Sequence, residues 1–173
     1  MIAMTILSIL LAVSFAGAAI WRLKALPDSI SAMVYALPEG GWRWLWSAWL
    51  VLVGILTFAP VVEILDGRGL GILGFLPMAM LMFVAAWPIF DREHYRWHNI
   101  LGTAAAVVSQ VDVWLISPYW LLLWLLMVAA VFMKGLCHTG TYFGGKGVLF
   151  AEVVCYVALV GASLCRSLVI PLG

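Results

Sequence analysis

RWLWSAWLVLVGILTFAPVVEIL, residues 43–65, is the stretch that decides the fold class. No charged residue stands between Arg43 and Glu63, so this run is long enough to cross a bilayer as one α-helix. Similar apolar runs recur along a chain of 173 residues that is 66% hydrophobic and 10% charged. A soluble domain typically carries about 25% charged residues. The sequence therefore predicts an integral membrane protein and, with a net charge of +1, no nucleic-acid-binding surface.

The apolar runs are continuous, whereas the strands of a membrane barrel alternate apolar and polar residues. We therefore predict an all-α polytopic integral membrane protein, a single transmembrane domain (1–173) built as a six-helix bundle. The predicted spans are about 3–23, 43–65, 69–90, 97–116, 118–134 and 147–170. The first run has an alternative as a cleaved signal peptide, because FAGAA at 15–19 offers small residues. Its first residues lack Lys and Arg, so we expect the run to be retained as a span.

Basic residues indicate how the spans are oriented. With six spans, seven basic residues lie on one side: Arg22, Lys24, Arg43, Arg92, Arg96, Lys134 and Lys146. Only Arg68 and Arg166 lie on the other. Because Lys and Arg are enriched on the cytoplasmic side, we expect a multi-pass protein of the inner (cytoplasmic) membrane with both termini outside.

The stretch LPDSISAMVYALPEGGWRWLW, residues 26–46, differs from the apolar runs around it. Its apolar residues recur at helical spacing, which predicts a short cytoplasmic helix at about 29–37, lying along the membrane surface. One interpretation is a simple interfacial connection between two spans. The other is a cover over a polar site, with Ser29, Ser31 and Tyr35 as candidate binding residues.

Two spans carry polar residues along one face. In the fourth span these positions are His98, Gly102, Ala105, Ser109 and Asp112; in the sixth they are Glu152, Tyr156, Leu159, Ser163 and Arg166. Each set recurs in steps of three and four residues, which places it on one side of a helix. If the two parallel spans pack together, His98 meets Glu152 and Asp112 meets Arg166.

The two meetings predict different roles. We predict an Asp112–Arg166 structural ion pair, and His98 and Glu152 as candidate acid–base catalytic residues. Ser109 and Tyr156 are further candidate binding residues on the same faces. The alternative for His98 and Glu152 is a structural hydrogen bond that ties the two helices together.

Metal and haem chemistry find little support. His94 and His98 have the i, i+4 spacing of paired metal ligands, and His138 and Glu152 could complete a zinc site. However, DREHYRWH at 91–98 straddles the predicted start of a span and suits an interface anchor. Only His98 falls within a span, which argues against haem between helices. We predict no metal and no cofactor.

Three blocks carry a resemblance to a known group: LPDSISAMVYALPEGGWRWLW, HNILGTAAAVVSQ and FAEVVCYVALVGA. Through them nearly the full chain resembles small multi-span membrane proteins of gut anaerobes and their phages. This resemblance implies membrane location and about six spans, and it implies no activity.

A more distant likeness is to the ceramidase and progestin-receptor type of membrane hydrolase, which uses Ser, His and Asp with a late His pair to bind zinc. Ser29 or Ser31, His98 and Glu152 look similar in placement. The last span has no HxxxH pair and a seventh helix is missing, so no zinc ligand is carried over.

Three functions follow as expectations. The first is a non-enzymatic membrane factor in which the polar seam holds the bundle together. The second is a lipid-active hydrolase with His98 and Glu152 near the cytoplasmic headgroups. The third is a small proton-coupled transporter, although the sequence shows no internal repeat. Membrane lipids are the expected partners, and the sequence indicates no particular protein partner.

Overall fold

The computed structural model describes residues 1–31, 33–37, 40–90, 96–136 and 146–169. Within these ranges the chain is helical and contains no strand, which confirms the all-α prediction. The helices are α1 (Ile2–Leu23), α2 (Met33–Ala36), α3 (Gly41–Asp66), α4 (Gly71–Phe90), α5 (Arg96–Ile116), α6 (Leu123–Leu136) and α7 (Gly147–Val169), with a 3-10 segment at Pro118–Leu122.

Five of the described helices are long and apolar enough to cross a membrane: α1, α3, α4, α5 and α7. Their bounds lie within a few residues of the predicted spans, because long apolar runs set the helix lengths. The region predicted as a single span at 118–134 differs. It begins as the 3-10 segment, with Pro118 in its first turn, and continues as the shorter helix α6.

Hydrogen bonds between helices fix the direction of the chain. The Ser8 hydroxyl bonds to Thr57, and the Trp49 indole donates to the carbonyl of Leu11 at 2.9 Å, so α1 and α3 are antiparallel. Leu149 N–H donates to the carbonyl of Asp28 at 3.1 Å, which places the start of α7 beside the end of α1. We call this side of the bundle the Glu152 end.

The opposite side is the Met1 end. There the Ser167 hydroxyl, near the end of α7, lies 3.9 Å from the Met1 sulfur. The turn between α3 and α4 reaches the end of α5, because Arg68 donates to the carbonyl of Leu115 at 2.6 Å. Helices α5 and α7 both begin at the Glu152 end, and they pack against each other in parallel as predicted.

The core forms two buried apolar clusters, one toward each end. The cluster at the Glu152 end joins α1, α2, α3 and α4 and includes Met33, Val34, Leu37, Trp46 and Val84. The cluster at the Met1 end joins α3, α5 and α7 and includes Phe58, Val61, Val113, Leu159 and Ala162. Between these clusters lie most of the polar groups that bond across helices.

Two glycines permit close packing. Gly74 brings α4 against the backbone of α3, because a Cβ there would lie 3.1 Å from the nitrogen of Val62. Gly161 lies directly against the indole of Trp120, so a Cβ at this position would overlap that ring. The second contact fixes the 3-10 segment on α7.

Candidate functional site

The residues that follow α1 fold back over the start of α7. We call residues 24–31 and 33–37 the connector. Lys24 ends α1 in the left-handed conformation, with φ 54°, and the chain then turns at Ser29–Ser31 before α2. The short helix predicted at about 29–37 spans only Met33–Ala36 in the structure, because Ser29–Ser31 adopt a non-helical turn. This turn directs its hydrogen-bond donors at a side chain.

That side chain is Glu152, near the start of α7. The Ser29 hydroxyl lies 2.8 Å from Oε1, and the Ser31 N–H and hydroxyl also donate to Oε1, the N–H at 3.2 Å. The Ile30 N–H donates to Oε2. Both oxygens of one carboxylate are therefore held by four donors from three consecutive residues.

The same carboxylate accepts hydrogen bonds from backbone N–H groups of the turn. Ile30 and Ser31 N–H groups have no helical or sheet partner in a turn, and buried backbone donors are costly when unpaired. Hydrogen bonds to an ionised acceptor are roughly twice as strong as neutral ones. Glu152 therefore satisfies the turn and fixes its position on α7. We call this arrangement, Ser29–Ser31 on Glu152, the carboxylate latch.

A second tie lies beside the latch. The Lys146 ammonium forms a 2.5 Å ion pair with the Asp28 carboxylate, and Leu149 N–H donates to the Asp28 carbonyl. The Asp28 side chain is 83% exposed, so water screens this pair and its contribution is small. The backbone bond at Leu149 and the latch are the stronger attachments of the connector.

His98 lies beneath the connector and is fully buried. The Tyr35 ring meets the imidazole edge-on, with centroids 5.4 Å apart, and the Trp46 ring lies at 6.2 Å. The peptide groups of Val84 and Ser31 lie beside the ring, yet neither ring nitrogen forms a hydrogen bond of normal geometry with a described group. The predicted direct bond between His98 and Glu152 is therefore absent from the structure.

Asp112 and Arg166 do not form the predicted ion pair as a hydrogen-bonded contact. Asp112 is fully buried, and both of its oxygens, like the Nε of Arg166, lack hydrogen-bond partners within the described ranges. Burial of His98, Ala105, Ser109 and Asp112 does agree with the predicted inward face of α5.

The turn at Ser29–Ser31 stands between the two side chains that were predicted to meet. Ser31 donates to the Glu152 carboxylate, and its peptide group also lies beside the His98 ring. Gln110 donates to the carbonyl of Cys155 at 3.4 Å, so α5 and α7 are joined by a contact that was not predicted.

The other predicted binding residues lie in the middle of the bundle, away from the latch. The Tyr156 hydroxyl bonds to Ser8 at 2.8 Å, and Ser8 bonds to Thr57 at 2.6 Å, so three helices share one hydroxyl cluster. Ser109 donates to the carbonyl of Ala106 at 2.7 Å, within its own helix. These contacts are accounted for by structure alone.

Sequence reasoning missed several polar contacts. Ser8 and Thr57 are single hydroxyls inside apolar runs, and Gln110 bonds the Trp124 indole at 3.0 Å as well as Cys155. Isolated polar residues within spans were the available signal, since such residues need partners in a membrane.

Two of the four predicted metal ligands lie outside the described residues. These are His94 and His138. Within the described part of the chain, no group of three or more His, Cys, Asp or Glu side chains is placed to hold a metal ion. Two surface grooves lie along α5 at Asn99–Val108 and beside Trp120, and neither is lined by His98, Glu152 or the connector.

Comparisons with protein-family models, with curated proteins and with solved structures found no match. Any function must therefore be argued from the geometry above.

Proposed function

We propose that this chain is a non-enzymatic integral membrane factor, a six-span bundle in which the carboxylate latch fastens the connector to α7. The observation that carries the proposal is the use of both Glu152 oxygens by donors of Ser29, Ile30 and Ser31. A general base needs a free lone pair within reach of a substrate proton. Here three donors converge on Oε1 and one on Oε2, and all four belong to the turn at Ser29–Ser31.

The parallel arrangement of α5 and α7 supports a sixth crossing. Both helices begin at the Glu152 end, so the chain must return from the Met1 end between Ile116 and Gly147. The 3-10 segment and α6 together extend about 31 Å, close to the thickness of the hydrocarbon core. With the excess of basic residues at the Glu152 end, that end faces the cytoplasm.

Single-cysteine labelling tests this topology. Cysteines placed at exposed Gly41 and at Lys146 should react with a membrane-impermeant maleimide from one side of the membrane. Cysteines at Gly67 and Tyr119 should react from the other. The background is a chain with the native cysteines replaced by alanine. If positions 119 and 146 react from the same side, six spans are excluded.

A hydrolysis assay separates the proposed function from the lipid-hydrolase alternative. The full chain in lipid nanodiscs is offered fluorogenic ester and amide lipids, with His98→Ala as the comparison. We expect no turnover above empty nanodiscs, because His98 is fully buried. Turnover that the wild-type chain supports and His98→Ala abolishes would overturn the non-enzymatic proposal.

A further inference from the structure

Asp112, like His98, is a fully buried ionisable group for which the described structure shows no hydrogen-bond partner. It lies on α5 one helical turn before Ile116, at the Met1 end of the bundle. Its side chain is fully buried, and neither carboxylate oxygen has a hydrogen-bond partner in the described structure. An ionisable group within a membrane needs a partner or a bound ion, since an uncompensated charge is expensive there.

Neighbouring polar groups on the same helix do not share this condition. Ser109 donates to the Ala106 carbonyl, and Gln110 bonds both to Cys155 and to Trp124. The residue after Asp112, Val113, packs in the apolar cluster at the Met1 end. A second unpaired group lies on the facing helix, because the Ser163 hydroxyl is 1% exposed and has no partner among described residues.

Among the described residues, no charged side chain is hydrogen-bonded to this carboxylate. Arg68 donates to the Leu115 carbonyl, and Arg166 forms no hydrogen bond to Asp112. Glu63 and Asp66 at the end of α3 are exposed. Helix α4 contains no charged residue.

We propose that Asp112 is a proton-binding site that exchanges with the Met1 side of the membrane. A proton needs a single carboxyl oxygen, which the site supplies. A Ca²⁺ or Mg²⁺ ion needs about six or more oxygen ligands. Among the described residues, no group of three or more His, Cys, Asp or Glu side chains could hold a metal ion. Asp112 lies about 6 Å along the helix from the end of α5, so the route to the Met1 side is short.

This inference does not depend on the carboxylate latch, which lies at the opposite end of the bundle. It gives Asp112 a role in binding a proton, whereas the non-enzymatic proposal gives this residue no role. Protonation and deprotonation of Asp112 change one charge next to the apolar cluster formed by α3, α5 and α7 at the Met1 end.

Carbodiimide labelling tests the proposal on the full chain in liposomes. Dicyclohexylcarbodiimide is apolar and takes its proton from a carboxylic acid; the carboxylate oxygen then adds to the central carbon, and rearrangement leaves a stable N-acylurea. We expect mass spectrometry to find the adduct on Asp112. Above the titration midpoint, labelling should fall about tenfold for each unit of pH.

Matched variants and salts make the result decisive. Asp112→Asn should lose the adduct, and Glu152→Gln should retain it. Replacing choline chloride by sodium chloride at constant pH should leave labelling unchanged. The proposal is overturned if the folded wild-type chain shows no adduct on Asp112, if labelling is independent of pH, or if sodium protects the site, which would indicate a cation site instead.

Discussion

Replacing Glu152 by Gln should loosen the turn at Ser29–Ser31 while leaving the bundle folded. The amide oxygen can take the place of Oε1, where Ser29 and Ser31 donate. The amide NH₂ then faces the Ile30 N–H, so two donors oppose each other. One charge-assisted bond, worth about 1.5–3 kcal/mol, is lost, and the remaining bonds weaken.

Partial exposure of Glu152 lowers this cost, so we expect the connector to lose about 2 kcal/mol of local stability. A difference of 1.4 kcal/mol is a factor of ten, so amide exchange at Ile30 and Ser31 should accelerate about 30-fold. Met33, Val34 and Leu37 remain in the core, which confines the opening to the turn.

Hydrogen–deuterium exchange of the chain in detergent, resolved to peptides covering 26–37, measures this opening. Glu63→Gln is the matched control, because Glu63 is exposed and lies at the Met1 end. It should leave exchange in the connector unchanged. Unchanged protection in Glu152→Gln would refute the reasoning, since apolar packing of the connector alone would then hold the turn.

Two further substitutions probe packing and the hydroxyl cluster by thermal unfolding in detergent. Gly161→Ala should lower the free energy of unfolding by about 1–3 kcal/mol, because the added methyl overlaps the Trp120 ring. Gly17→Ala is the control, because no atom lies within 4 Å of the added methyl, and it should be neutral or stabilising. Equal shifts for the two variants would contradict the contact. Tyr156→Phe should cost about 1 kcal/mol through loss of the bond to Ser8, and an unchanged midpoint would show that this bond contributes nothing.

The helices could be predicted from the sequence because the membrane makes their lengths nearly obligatory. An uncharged run such as 44–62 has few alternatives to a helix, and α3 extends only a few residues beyond it. The structure of residues 118–136 was harder to predict from the sequence. Their composition is as apolar as that of the other runs, but Pro118 begins a 3-10 turn and the Trp120 ring seats that turn on Gly161.

The partners of the polar residues were harder to predict, because helical spacing gives the face of a residue but not its level. Inward faces for His98 and Asp112 followed from periodicity. The bond from Gln110 to Cys155 joins α5 to α7, and no pattern within either helix predicts it. Two of the donors to Glu152 are backbone N–H groups. Nearly every residue carries such a group, so the residue types do not reveal which one will bind the carboxylate.

These contacts reverse the order in which the polar residues deserve functional study. Glu152 was predicted as a candidate acid–base residue because helical spacing placed it level with His98, yet its oxygens satisfy a turn that would otherwise leave two amides unpaired. Asp112 looked like half of an ion pair, yet it is buried without one. Since a fold rarely retains an unpaired ionisable group without a use for it, the group with no structural partner is the stronger candidate for function. Substituting Asp112 should therefore abolish carbodiimide labelling with little effect on the connector, and substituting Glu152 should loosen the connector turn and leave that labelling intact.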